Sequence, residues 1–119
     1  MKAEIGHVSW FEVMGRDLEA LNAFYAELFG WKLQRLPDMP YALTAPDWDG
    51  VPGGVGQAPQ GPGWTTFYVT VADVPAAVAV AERLGGRLQM PPMTLPDGVT
   101  VAVIADPEGH PVGLWGPHR

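Results

Sequence analysis

Apolar and polar positions change period several times along the chain, and each change marks an element. From His7 to Met14 a short apolar and aromatic block ends at Gly15, which reads as a strand. Behind Asp17, the residues Leu18, Leu21, Phe24, Tyr25, Leu28 and Phe29 recur at i, i+3, i+4 spacing. That period predicts a helix over 17–29, capped by Asp17 and stopped at Gly30, where a left-handed residue is wanted. Trp31 to Leu36, Tyr41 to Thr44 and the glycine-rich run Val51 to Gln57 read as three strands separated by Pro and Asp/Gly turns.

After a linker-like stretch, Ala58 to Gly63, the order begins again. Trp64 to Ala72 alternates as a strand, and Asp73 caps a second helix, Val74 to Leu84, with Pro75 in its first turn. Arg87 to Met90, Val99 to Ile104 and Val112 to Trp115 give three more strands. Pro91 to Gly98 reads as a turn-rich loop and Asp106 to Gly109 as a tight turn. An offset of 56 residues lays Asp17 on Asp73, Ala20 on Ala76, Ala23 on Ala79, Leu28 on Leu84 and Gly30 on Gly86. The matching element order, β-α-β-β-β twice, is the stronger half of that case. The expectation is one α+β domain of two repeated modules, about 1–58 and 59–119, within a chain of 119 residues.

Composition changes this picture by exclusion. The seven Lys and Arg are scattered in a chain of net charge −6, so neither a nucleic-acid footprint nor a basic membrane-surface face is expected. Zero Cys excludes disulfides, thiolate metal sites and cysteine nucleophiles. No apolar run approaches membrane-spanning length and the first residues lack a leader's apolar stretch, so the expected address is the cytoplasm. Five Trp, three Tyr and four Phe exceed what a core of this size needs, which leaves aromatic surface for a pocket. The run Gly50 to Gly56 is no phosphate loop, because neither a helix nor a Lys-Ser/Thr follows it.

The run Phe24-Tyr25 followed by Leu28-Phe29-Gly30-Trp31, and the closing Asp106-Pro107-Glu108-Gly109-His110-Pro111-Val112-Gly113-Leu114-Trp115, resemble the opening and closing signatures of the vicinal oxygen chelate superfamily. That superfamily includes glyoxalase I, extradiol dioxygenases and bleomycin- and fosfomycin-resistance proteins. The resemblance implies two paired modules whose mixed sheet curls into a cup with helices outside. It also implies metal ligands on the first and fourth strands of each module, at fixed offsets from the helix cap and the closing turn. Carried over, those offsets fall on Trp10, Gln57, Thr66 and Gly113. Trp and Gly offer no side-chain ligand atom, and Thr and Gln are poor neutral donors. The expectation is therefore no metal and no cofactor.

Strand alternation extends that placement. With Trp10 facing in, so do Glu12 and Met14; with Thr66, Tyr68 and Thr70; with Gly113, Trp115. The other parity, Phe11 and Val13, then Phe67, Val69 and Val71, suits packing under the helices. The expected ligand-binding set is Trp10, Glu12, Met14, Gln57, Thr66, Tyr68 and Trp115, with Trp10 and Trp115 lining one cavity and Trp48, Trp64, Met90 and Met93 nearby. Glu12 is the candidate catalytic residue. Loss of hydration disfavours its charged form, so it is expected either to hold a proton or to reach Arg35 or Arg87. As an ion pair or a rim carboxylate it would be structural; as a ligand contact or general base it would be functional. His7 and His110 are expected in turns, and His118 in the tail.

The favoured reading is a homodimeric protein that binds a small organic molecule without cofactor, as the resistance proteins of the resembled family do. The alternatives are a metal-dependent lyase or dioxygenase recruiting Glu12 with His7 or His110, and an interaction domain with a vestigial cup.

Overall fold

The computed structural model describes residues 4–117. His118 lies outside them. The elements run β1 Val8–Gly15, α1 Leu18–Phe29, β2 Leu33–Arg35, β3 Tyr41–Thr44, β4 Gly53–Gln57, β5 Trp64–Thr70, α2 Val74–Arg83, β6 Arg87–Thr94, β7 Val99–Ala105 and β8 Pro111–Pro117. The order β-α-β-β-β occurs twice, and the α+β class read from the sequence holds. The described residues form two compact units, one of Trp10–Thr65 and one of residues 4–9 with 66–117.

Both helices start as their sequences require. The Asp17 carboxylate accepts the amide of Ala20 at 3.0 Å, and that of Asp73 accepts the amide of Ala76 at 2.9 Å. Gly30 closes α1 at φ 74°, with its amide bonded to the Ala26 carbonyl.

In the Trp10–Thr65 unit the strands lie in the order β2-β3-β4-β1, with β1 parallel to β4 and the other pairs antiparallel. One side of this sheet meets α1. There Phe11 packs tilted against Trp31 with ring centroids 5.0 Å apart, and Trp31 stacks on Tyr25 of the helix at 5.3 Å. Val55 and Ala42, opposite each other in the ladder, are fully buried.

In the second unit the order is β5-β8-β7-β6, with β5 and β8 parallel. Its core joins Val74 and Val78 of α2 to Ala102, Ile104 and Leu114 of the sheet, with Val71 and Val112 against it. Phe67 departs from expectation: it shares strand parity with this packed side yet is 43% exposed. Phe67, at the middle of β5, lies outside the cluster that α2 covers. The loop expected over Pro91 to Gly98 is another correction. β6 continues to Thr94, with register irregularities between Leu88 and Met90 and between Met90 and Met93. β6 is the outer strand of its sheet and its register against β7 shifts between Met90 and Met93, so Pro91 and Pro92 fall at an edge and an irregularity, the places where a strand does without amide hydrogens.

The closing turn is held by Asp106. One oxygen of its carboxylate accepts the amides of Glu108 and His110, each at 2.9 Å. The His110 amide is the largest cause holding this carboxyl below its ordinary value of 3.8; desolvation opposes it, and the His110 ring and the Glu108 amide add to the lowering. A depressed native pKa stabilises the fold above the unfolded value and loses that contribution as pH falls through the native one. Asp106→Asn is thus expected to lower the urea midpoint at pH 7 but to match wild type in strong acid. Equal differences at both pH values would show that ionisation of Asp106 plays no part.

Candidate functional site

The side of the Trp10–Thr65 sheet away from α1 carries the candidates of β1. Register places Glu12 opposite Gly54 and Met14 opposite Gly56, and β3 adds Leu43 opposite Gly54 and Tyr41 opposite Gly56. The two glycines make room. A Cβ on Gly54 would sit 2.2 Å from the Tyr41 ring, and one on Gly56 would meet the same ring at 2.4 Å and Met14 Sδ at 2.8 Å. The phenol therefore lies flat across a shelf of two glycine backbones and reaches β1.

There it joins a chain of hydrogen bonds. Trp10 Nε1 donates to the Tyr41 hydroxyl at 3.1 Å, and that hydroxyl donates to Glu12 Oε2 at 2.9 Å. All three side chains are part-buried. A hydroxyl donating to a carboxylate makes a charge-assisted bond, stronger than a neutral pair. Arg35, one of the two expected partners of Glu12, faces elsewhere: its Nε lies 3.5 Å from Glu19 Oε1, and its Nη1 donates to the Leu36 and Met39 carbonyls. Arg87, the other, is exposed in β6. Tyr41 is the residue that sequence reasoning missed. Its signal was the alternation of glycines in β4, which leaves space for a large ring from a neighbouring strand.

Gln57 requires correction. It pairs with Gly15, on the parity of Phe11 and Val55, and is exposed, so it does not share the face of Glu12. The β4 positions on the Glu12 face are Gly54 and Gly56. The misplacement came from the repeat offset, which a glycine-rich strand does not anchor.

In the second unit Thr66, Tyr68 and Thr70 alternate along β5, with Gly113 opposite Tyr68 and Trp115 opposite Thr70. The Tyr68 ring lies over Gly113, where a Cβ would come within 2.3 Å of it. Thr66 Oγ1 donates to the Pro111 carbonyl at 2.6 Å, a bond that ties β5 to the start of β8. Thr70 is 4% exposed, and its hydroxyl has no hydrogen-bond partner among the described residues. Trp115 is part-buried on this side, opposite Val101 of β7.

The remaining candidates lie apart from these faces or at their margins. Trp48 folds over Gly50 with its indole donating to the Val51 carbonyl, and borders an open groove of about 180 Å³ with Trp31, Lys32 and Asp47. Met90 and Met93 are exposed in β6. His7 is exposed, 3.5 Å from Glu4, and His110 Nδ1 lies 3.0 Å from Asp106, so each serves its own turn.

A family model described as a glyoxalase-like domain matches residues 11–115. The chain belongs to this family. The glyoxalase-like chain is 29% identical over 129 residues to the anthracycline biosynthesis protein DnrV of Streptomyces peucetius, and equally to DauV of Streptomyces sp. strain C5. Those alignments take in 92% of this chain but 46% of either relative, so the chain spans about half the length of the curated relatives it matches. Among solved structures, a glyoxalase/bleomycin resistance protein/dioxygenase superfamily member from Vibrio splendidus 12B01 superposes with TM-score 0.64 at 16% identity, covering 89% of this chain and 95% of that one. Methylmalonyl-CoA epimerase from Mycobacterium tuberculosis gives 0.62 at 18% identity over 100% of this chain and 94% of its own. These likenesses show the fold, that of the vicinal oxygen chelate superfamily.

The glyoxalase-like positions that would hold a divalent metal do not fit one here. Trp10 presents an N–H already given to Tyr41, Thr66 gives its hydroxyl hydrogen to a backbone carbonyl, and Gly113 lies under a ring. Among the described residues, no three His, Cys, Asp or Glu side chains gather closely enough to hold a metal ion.

Proposed function

We propose that this chain, a single domain of two repeated modules acting as a homodimer, binds a small, partly aromatic organic molecule through side chains rather than a metal. The observation that supports this best is the Trp10–Tyr41–Glu12 chain on its glycine shelf. It couples two aromatic surfaces to one oriented carboxylate, the mixture of apolar area and few placed polar groups that small-molecule sites use. Glu12 is proposed as the group that orients the ligand or accepts its proton, and Thr66, Tyr68 and Trp115 as contact residues on the face of their own unit. The curated relatives are named for anthracycline biosynthesis, so a polycyclic aromatic compound is the first ligand to try.

The test is titration of the purified protein with a hydroxylated anthraquinone, followed by tryptophan fluorescence and by native mass spectrometry. Binding with quenching is expected, and Trp10→Ala should weaken it roughly tenfold or more, the loss of about 1.4 kcal/mol of aromatic contact. Unchanged affinity in Trp10→Ala would remove this face from the site. The mass spectrum reads the subunit number in the same experiment.

A further inference from the structure

The outer sides of the two helices correspond position by position, and they differ in charge. On α1 Ala20, Ala23, Phe24, Glu27 and Leu28 recur at i, i+3, i+4 spacing, so they share one side, and all five are exposed. The 56-residue offset carries them to Ala76, Ala79, Val80, Arg83 and Leu84, the last being the C-cap of α2, and these are exposed too. The inner sides correspond as well: Leu18 and Val74, first residues of their helices, are 2% and 0% exposed. Each helix thus buries one side in its own unit and leaves a mostly apolar strip on the other.

Two features of these strips find no use within one copy. Phe24 is 57% exposed, Leu28 58% and Leu84 69%. Large apolar side chains grouped on one surface mark a contact site, where scattered ones do not. The other feature is charge. Glu27 sits in the last turn of α1, the negative end of the helix dipole, and no basic residue shares that turn. Its counterpart Arg83 sits in the last turn of α2, where a cation is favoured. Among the described residues neither takes part in an ion pair.

We infer that α1 of one copy packs along α2 of a second copy, the two helices parallel, with Glu27 facing Arg83 of the other chain. Glu27 then gains the cation that its own helix end lacks. The large Phe24 meets the smaller Val80, and the alanines on both strips let the axes approach to about 8 Å. Like helices paired in the same way would set Glu27 beside Glu27 or Arg83 beside Arg83, and like charges across an interface are costly. Because unlike strips meet, the contact either closes reciprocally into a pair or opens into a row of copies. The inference rests on the homodimer proposed above, which requires the closed form.

The experiment measures self-association by analytical ultracentrifugation over a wide range of concentration. Its samples are wild type, Glu27→Arg, Arg83→Glu and an equimolar mixture of the two variants. Glu27→Arg makes both strips basic and Arg83→Glu makes both acidic, so each variant alone should associate at least about tenfold more weakly than wild type. In the mixture every basic strip finds an acidic one, and heterodimers should form with affinity within about threefold of wild type. Such recovery also shows that both variants fold. Added salt should weaken wild type and the mixture but not the single variants. Variants that dimerise as tightly as wild type would overturn the inference and leave the homodimer standing. A mixture no tighter than its components would do the same. Open-ended assemblies of wild type, dissolved by either substitution, would support the contact and overturn the closed pair. Wild type monomeric at every concentration would sink the homodimer, and this contact with it.

Discussion

Gly63→Ala is expected to destabilise the protein more than any other single methyl group added to its glycines, by on the order of 4 kcal/mol. Gly63 has φ +88°, a conformation that costs an L-residue about 1–2 kcal/mol. A Cβ there would also come 1.9 Å from the Met14 carbonyl oxygen and 2.6 Å from its carbon. These are backbone atoms of β1, so no rotamer change relieves the overlap, and the strand or the turn must move. Gly61 serves as the control. It has φ +77° but nothing within 4 Å of its would-be Cβ, so Gly61→Ala carries the conformational cost alone. Urea denaturation of both variants separates the two effects. Similar losses in the pair would show that contact with Met14 contributes nothing.

Gly54→Ala comes second, at about 2–3 kcal/mol, and its cause is a ring rather than a backbone. The added methyl would occupy the space of Tyr41 Cε2 and Cζ, displacing the phenol from both Trp10 and Glu12. A double-mutant cycle tests this directly. In a Tyr41→Ala background the shelf is empty, so the same methyl should cost under about 1 kcal/mol; alanine even suits a strand slightly better than glycine. Additive losses would mean that the glycine is needed for some reason other than the ring. Gly54→Ala should also weaken the anthraquinone titration, since it moves the two groups that frame Glu12.

Local signals carried most of the fold. The helix caps at Asp17 and Asp73, the stop at Gly30 and the two faces of β1 were all legible, because each depends on residues within one or two turns of chain. Strand ends were less so: β2 is three residues where six were expected, and β6 runs through two prolines that read as a loop. The site was legible where alternation alone places a side chain, as for Trp10, Glu12 and Met14. It failed where placement depends on pairing between strands. Gln57 was put on the wrong side because five residues of mostly glycine carry no alternating pattern to fix their register. Tyr41 escaped notice because its strand is four residues long and its hydroxyl acts 29 residues away in sequence. A partner for Glu12 was sought among the arginines, and one that the structure supplies is a phenol.

The two prolines of β6 have a consequence for how copies of this chain can meet. An outer strand ordinarily offers a row of amide hydrogens and carbonyls that a strand of another molecule can copy, the usual route to runaway stacking. Along β6 that row is interrupted at Pro91-Pro92, where there is no amide hydrogen, and bent by two shifts of register. The strand thus works as a selvedge, a border that keeps the weave from being extended. A second copy is thereby turned away from pairing along this edge, and crowding is correspondingly less able to knit the chains into fibres through β6.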